Sequence, residues 1–172
     1  GMRAIFQAAR QAKGKRIIFT EGEEERVLRA VQVVVDEGLA FPILVGRTKV
    51  IEANIQQLGL RLENGENIEI VDQEQNPLYE EFWKDYYQTM QRKGVTVEYA
   101  QREARRRSTL IAALMVKFGK ADGMLCGTYS SYDIHLDFVK NVIGLKEGRS
   151  TFFTLNALML EDRNLFIADT YV

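Results

Sequence analysis

Apolar positions along this chain fall into two rhythms that alternate, short continuous runs and longer stretches spaced three and four residues apart. Lys15-Arg16-Ile17-Ile18-Phe19-Thr20, Pro42-Ile43-Leu44-Val45-Gly46 and Ile68-Glu69-Ile70-Val71-Asp72 are compact runs suited to buried strands. Between them, Glu23 to Val35 places Val27, Ala30, Val31 and Val34 on one helical face, with Gly38 as its stop. Thr48 to Leu58 reads as a further helix with Thr48 as its cap, and residues 2–12 as an N-terminal helix ending before Gly14. Strand, helix, strand, helix, strand is the pattern of a parallel sheet with helices on its faces.

The rhythm changes over residues 77–118. Leu78, Phe82, Tyr86 and Thr89 fall on one face of a helix opening near Pro77. Gly94 breaks it, Thr96 caps a second helix, and Ser108 or Thr109 starts a third that Leu110, Ala113, Leu114 and Val116–Phe118 make largely buried. Met124-Leu125-Cys126 is the next strand, and a helix runs from Tyr132 to Val142. Strands at Thr151–Leu155, Leu158–Leu160 and Leu165–Asp169 follow, the last two joined as a hairpin by the polar turn Glu161–Asn164. The chain stops at Tyr171-Val172 directly after a strand, which reads as a piece of a longer protein.

The most informative segment is Ala121-Asp122-Gly123-Met124-Leu125-Cys126-Gly127-Thr128, an apolar run that ends on glycine and hands over to Ser130, Ser131 and Asp133 at a helix start. The first N–H groups of a helix lack internal partners and its dipole favours negative charge, so this is one way to build a small-anion site. The plainer alternative is that Ser130 and Ser131 only cap the helix. Glu21 and Arg26 flank another strand-to-helix turn, where they line a cleft or simply pair with each other.

Composition narrows the classes. With 23 basic and 24 acidic residues the net charge is −1, which gives no electrostatic case for nucleic acid. No apolar run approaches the roughly 20 residues that span a bilayer, and Arg3, Arg10 and Lys13 interrupt the N-terminal segment where a signal peptide would need an apolar core. Gly1 before Met2 reads as a remnant of tag cleavage. The single cysteine, Cys126, is expected to be buried, and it points to a reducing, cytoplasmic setting. His135 is the only histidine, so neither a zinc site nor a catalytic pair is defined. Gly-x-Gly-x-x-Gly and the phosphate-loop pattern are absent. Arg102, Arg105, Arg106 and Arg107 form the one dense basic patch, read either as a solvated face paired with Glu98 and Glu103 or as an anion or partner surface.

An ordered set of segments resembles the phosphate acetyl/butyryl transferase family: Lys15–Glu23 with Arg26-Val27, Gly38-Leu39-Ala40 through Gly46, Lys93-Gly94-Val95-Thr96, Gly119–Gly123 with Gly127, and Leu165–Asp169. Within it, Glu21–Gln32, Thr109–Lys117, Ile143-Gly144-Leu145 and Ile167–Val172 are most similar to the phosphotransacetylase-like C-terminal region of bacterial NADP-dependent malic enzymes. The resemblance implies an α/β three-layer sandwich with a mainly parallel sheet, isocitrate/isopropylmalate dehydrogenase-like as in phosphotransacetylases. It implies a first α/β subdomain over residues 1–150 and the start of a second over 151–172. It also implies a regulatory, oligomerising role with acetyl-CoA or a related acyl metabolite as effector, bound in a cleft near Glu21, Arg26, Gly127, Thr128, Ser130 and Ser131. No metal or cofactor is expected on these residues, whereas the parent enzyme would use NADP and a divalent cation (Mg or Mn) in other domains. Family members that transfer acyl groups carry arginines where this chain has Met90 and Asp137. Such cations stabilise developing charge, and losing one costs about 2.7–4 kcal/mol in the transition state, so these residues are expected to be catalytically inert. The alternative is the leading part of a working phosphate acyltransferase.

Overall fold

A computed structural model describes residues 1–12 and 14–169; Lys13 and the closing Thr170-Tyr171-Val172 lie outside the described residues. The elements are α1 (Met2–Gln11), β1 (Arg16–Phe19), α2 (Glu25–Asp36), β2 (Phe41–Val45), α3 (Thr48–Gln57), β3 (Glu69–Val71), α4 (Tyr79–Met90), α5 (Val97–Arg106), α6 (Ser108–Lys117), β4 (Gly123–Leu125), α7 (Tyr132–Val142), β5 (Leu155–Met159) and β6 (Asn164–Ala168). Four strands form one parallel sheet in the order β3-β2-β1-β4, with Ile18 opposite Ile43 on one side and Met124 on the other.

Strand side chains alternate between two apolar layers. Phe19 and Leu44 join Leu28, Val31, Ile51 and Ile55 beneath α2 and α3. Ile18, Ile43 and Val45 join Phe82, Tyr86, Leu110 and Leu114 beneath α4 and α6. Helices therefore cover both faces, giving the three-layer α/β sandwich. In α6 every residue from Thr109 to Met115 is buried, which is why it shows no polar stripe: it touches α5, α7, β2 and β4 at once.

Local signals place most boundaries. Gly38, at φ 62°, ends α2, where its N–H and that of Leu39 bond Val35 O and Val34 O at 3.0 Å. The Thr96 hydroxyl accepts from Tyr99 N–H at 3.2 Å, capping α5. Several expectations are corrected. Thr48 does not cap α3; its own N–H donates to Asp72 Oδ2 at 2.9 Å, so a distant carboxylate does that work. Met90, and not Thr89, completes the buried face of α4, since 82, 86 and 90 are each four apart. Residues 151–154 precede the strand β5, although Thr154 O accepts from Asp169 N–H at 2.9 Å. The arginine patch is paired in part: Arg102 and Arg107 reach buried Glu103 at 3.6 and 2.9 Å, and Arg105 lies over the Tyr79 ring at 4.3 Å. No ion pair to Glu98 occurs among the described residues.

β5 and β6 form a separate antiparallel hairpin, Leu155 opposite Ala168. Among the described residues its strands pair only with each other, and Leu155, Leu158, Leu165, Phe166 and Ile167 are exposed. No helix among the described residues is long and apolar enough to cross a membrane.

Candidate functional site

In an open parallel sheet the loops at the carboxyl ends of the strands part where the strand order reverses, and that crevice is where ligands bind. Here the reversal falls between β1 and β4. Thr20 N–H donates to Leu125 O at 3.1 Å, carrying the β1–β4 pairing one residue past the strands. Glu21 then links the two loops: Oε1 accepts Gly127 N–H at 3.0 Å, and Oε2 accepts the Thr20 hydroxyl at 2.7 Å. Its carboxylate is committed to this bridge, and no Glu21–Arg26 ion pair occurs among the described residues. Instead Glu21, Arg26 and Thr128 line one pocket of about 390 Å³ together with Phe19, Val27, Ala30, Leu125 and Cys126.

The β1–α2 turn is held from the other side by β2. Gly22 N–H donates to Val45 O at 3.1 Å. Glu23 clamps Arg47 with both oxygens, at 2.9 Å from Nε and 2.8 Å from an Nη, and also takes Arg47 N–H at 2.9 Å. The Arg47 guanidinium holds the Glu23 carboxyl below its ordinary value. A carboxyl lowered on folding contributes stability above its ordinary pKa and loses it as pH falls through the folded value. Glu23→Gln should therefore cost about 1 kcal/mol at neutral pH, discounted because Arg47 is half exposed. The same substitution should flatten the loss of stability between about pH 5 and pH 3. Urea midpoints measured across that range test this, and parallel curves for both proteins would refute it.

The β4–α7 loop turns through two left-handed positions, Gly127 at φ 111° and Ser130 at φ 72°. A serine held there costs free energy unless its surroundings fix it, and the loop has a fixing group. His135 Nε2 lies 2.6 Å from Tyr129 O, while Nδ1 lies 2.7 Å from the hydroxyl of buried Thr109 on α6. A ring with its proton on Nε2 satisfies both contacts, the Thr109 hydroxyl donating to Nδ1. Sequence alone, with one histidine and no partner for it, did not disclose this role.

Ser131 occupies the N-cap of α7 with φ −86° and ψ 152°, yet its hydroxyl makes no cap hydrogen bond. The plainer capping alternative is thus not what this geometry displays. Gly127 and Ser130 line a second pocket, about 310 Å³, with Cys126, Tyr132, His135, Leu136 and Val139. Cys126 is exposed, contrary to expectation, because β4 is an edge strand with β1 as its one neighbour in the sheet. Loss of water around its sulfur and the Glu21 carboxylate both push its thiol up, so it is no activated nucleophile. Tyr129 was not anticipated: the Glu24 carboxylate near its hydroxyl pushes the phenol pKa up, and its side chain lines a pocket with Thr20, Glu21 and Arg47.

The six expected site residues therefore divide. Glu21 and Gly127 are bonded, Glu21, Arg26 and Thr128 share one pocket, Gly127 and Ser130 share the next, and Ser131 stands at the helix start directly after Ser130. The carboxylates of Glu21 and Glu23 are already engaged, by Gly127 and Thr20 and by Arg47 respectively. The crevice also holds Arg26, which makes no ion pair among the described residues, and the N-terminal end of α7. Among the described residues no group of three His, Cys, Asp or Glu could hold a metal ion.

Comparison with known proteins agrees with this architecture. The chain is 50% identical over 171 residues to the NADP-dependent malic enzyme of Escherichia coli (strain K12), covering 99% of this chain and 22% of that protein, in its C-terminal region. It is 33% identical over 147 residues to the phosphate acetyltransferase of Clostridium acetobutylicum, 83% of this chain and 43% of that protein. A phosphotransacetylase crystal structure from Streptococcus pyogenes superposes with a TM-score of 0.83 at 24% identity, over 96% of this chain and 50% of the other. The chain thus spans about a fifth of the malic enzymes and half of the phosphotransacetylase it matches. The sequence model for the phosphate acetyl/butaryl transferases matches residues 2–172, and the chain belongs to that family.

Proposed function

We propose that these residues form a non-catalytic, phosphotransacetylase-like regulatory and oligomerising domain of a cytoplasmic NADP-dependent malic enzyme, and that the β1–β4 crevice senses acetyl-CoA or a related acyl metabolite. The observation that carries the assignment is 50% identity over 99% of the chain to a malic enzyme. The site chemistry fits an effector and not a turnover site. Met90 is buried against Phe82 and Tyr86 and presents no cation, and Asp137 on α7 is exposed and of the wrong sign to hold a phosphate. His135 has both ring nitrogens engaged, leaving no free base beside Cys126. In this reading NADP and a divalent cation serve the proposed parent's oxidative decarboxylation of malate in its other domains; among the described residues no group of three His, Cys, Asp or Glu could hold a metal ion.

Arg26 and the positive end of the α7 dipole suit the phosphates of a coenzyme A ester. Ser131→Asp tests the site without unfolding it, because aspartate is itself a favourable N-cap while its charge opposes a bound phosphate. Calorimetric titration of acetyl-CoA should show binding that weakens about tenfold or more in Ser131→Asp. Equal affinity in both proteins would remove the crevice from the reading. The second reading, the leading part of a working phosphate acyltransferase, draws on 33% identity to a phosphate acetyltransferase. Release of acetyl phosphate from acetyl-CoA and phosphate would establish it and end the non-catalytic one.

A further inference from the structure

Pairing within the chain accounts for only part of the arginine run on α5. Residues 98, 101, 102, 105 and 106 recur at three- and four-residue steps and so share one stripe of the helix. With Tyr79 and Glu80 at the start of α4, that stripe lines an open depression of about 450 Å³. None of its lining residues belongs to the pockets of the β1–β4 crevice. Buried Glu103 takes Arg107 at 2.9 Å and leaves Arg102 at 3.6 Å. The side chains of Arg105 and Arg106 make no ion pair and no hydrogen bond among the described residues.

Two of these cations are oriented by aromatic rings. The Tyr79 hydroxyl donates to Gln101 O at 3.1 Å, which pins its ring against α5, and the Arg105 guanidinium lies 4.3 Å from the centre of that ring. Arg102 lies over the Tyr99 ring at 5.0 Å. A guanidinium laid on a ring is weakly hydrated and keeps its planar fork of N–H donors open to a bidentate acceptor. The two carboxylates of the wall have partners of their own. Glu80 pairs with Lys84 Nζ at 2.7 Å, and the Glu98 N–H, then the Thr96 hydroxyl, hold the Glu98 carboxyl below its ordinary value. Basic residues at a helix C-terminus also answer the dipole, which suits Arg105 and Arg106 in the last turn. The dipole explains neither the pinned Tyr79 ring nor Arg102 a turn earlier.

We infer that this stripe is a binding site for the diphosphate group of a small metabolite, held by Arg102, Arg105 and Arg106. Arg102 and Arg106 stand one helical turn apart, about 5–6 Å between Cβ atoms, a span that suits the two ends of a diphosphate better than a single phosphate. The site is independent of the crevice and of the coenzyme A ester proposed there.

Inorganic diphosphate is the probe, titrated at constant ionic strength in metal-free buffer and followed by amide and arginine Nε–H resonances. Gln101, Arg102, Arg105 and Arg106 should shift saturably, and monophosphate should bind about tenfold more weakly. Arg106→Gln should weaken diphosphate binding by about fivefold. Arg105→Lys, which keeps the charge and loses the planar fork, should weaken it by about threefold. Both side chains are exposed, and Gln and Lys are good helix formers, so α5 is kept in either variant. Lys49→Gln, on α3 across the sheet, should change nothing. Adenosine diphosphate binding as tightly as the inorganic ion would support a nucleotide as the source of the group, and weaker binding would support the free ion. The inference is overturned if these residues give no saturable shifts, if monophosphate and diphosphate bind equally, or if Lys49→Gln weakens binding as much as Arg106→Gln. Parent-like binding by Arg105→Lys would show that charge alone is at work and would overturn it too.

Discussion

Phe82→Ala is expected to lower the free energy of unfolding by about 3–5 kcal/mol, the largest single effect in the molecule. Phe82 is fully buried at the centre of the layer between the sheet and α4–α6. Its ring stacks on Phe118 with centroids 5.7 Å apart, so the substitution removes both a large buried surface and an aromatic pair. Its neighbours Ile18, Ile43 and Val45 belong to central strands held by ladder bonds on both sides, and they cannot collapse into the void. Stability of a domain this size is commonly about 5–15 kcal/mol, so a large share would be lost. Urea unfolding should show a lower midpoint with unchanged slope. By contrast Val33→Ala, on the exposed face of α2, should stay within about 0.5 kcal/mol. A Phe82→Ala midpoint no lower than that of Val33→Ala would contradict the packing account.

Gly22→Ala is the second. A Cβ added at Gly22 would sit 2.9 Å from both Leu44 Cβ and Val45 O, and 3.2 Å from Val45 N. These are atoms of β2, a strand paired on both sides, so the neighbour cannot give way and the β1–α2 turn must move instead. The expected cost is about 2–3 kcal/mol, or roughly 5–10 °C in melting temperature for a chain of this length. The displaced turn carries Glu21 and Glu23, so the same change should disturb the crevice, visible as shifted amide resonances at Gly127 and Arg47. A melting temperature within a degree or two of the parent would show that the turn is slack.

Where sequence and structure agree, the signal was local. The α7 bounds, Tyr132 to Val142, follow from a periodic stretch behind a polar turn, and Gly38 and Gly94 end their elements because φ is positive there. Where they part, the deciding partner is far away in sequence. Thr48 looks like a cap, but Asp72, 24 residues on, is bonded to its N–H. Cys126 ends an apolar run, which normally signals burial, but an edge position in the sheet is invisible to such a run. The site shows the same division. Gly127, Ser130 and Ser131 were legible as a glycine-ended strand running into a helix. The Glu21–Gly127 bond spans 106 residues, and no spacing within a segment predicts it. Tyr129 and His135 were missed as loop-fixing groups because one accepts through its backbone carbonyl and the other reaches two elements at once.

The order β3-β2-β1-β4 also fixes how the crevice comes into being. Ile18 meets Ile43 after 25 residues of chain (43 minus 18), and meets Met124 only after 106 (124 minus 18). Closing the longer loop costs about 1.3 kcal/mol more in chain entropy, besides the ordering of everything between. The two sides of the crevice are thus the most distant segments of the sheet to be joined, and no partly assembled state can offer it. An anion held there binds the closed topology of the chain as a whole, so its binding energy is felt across the domain and not only at the loops it touches.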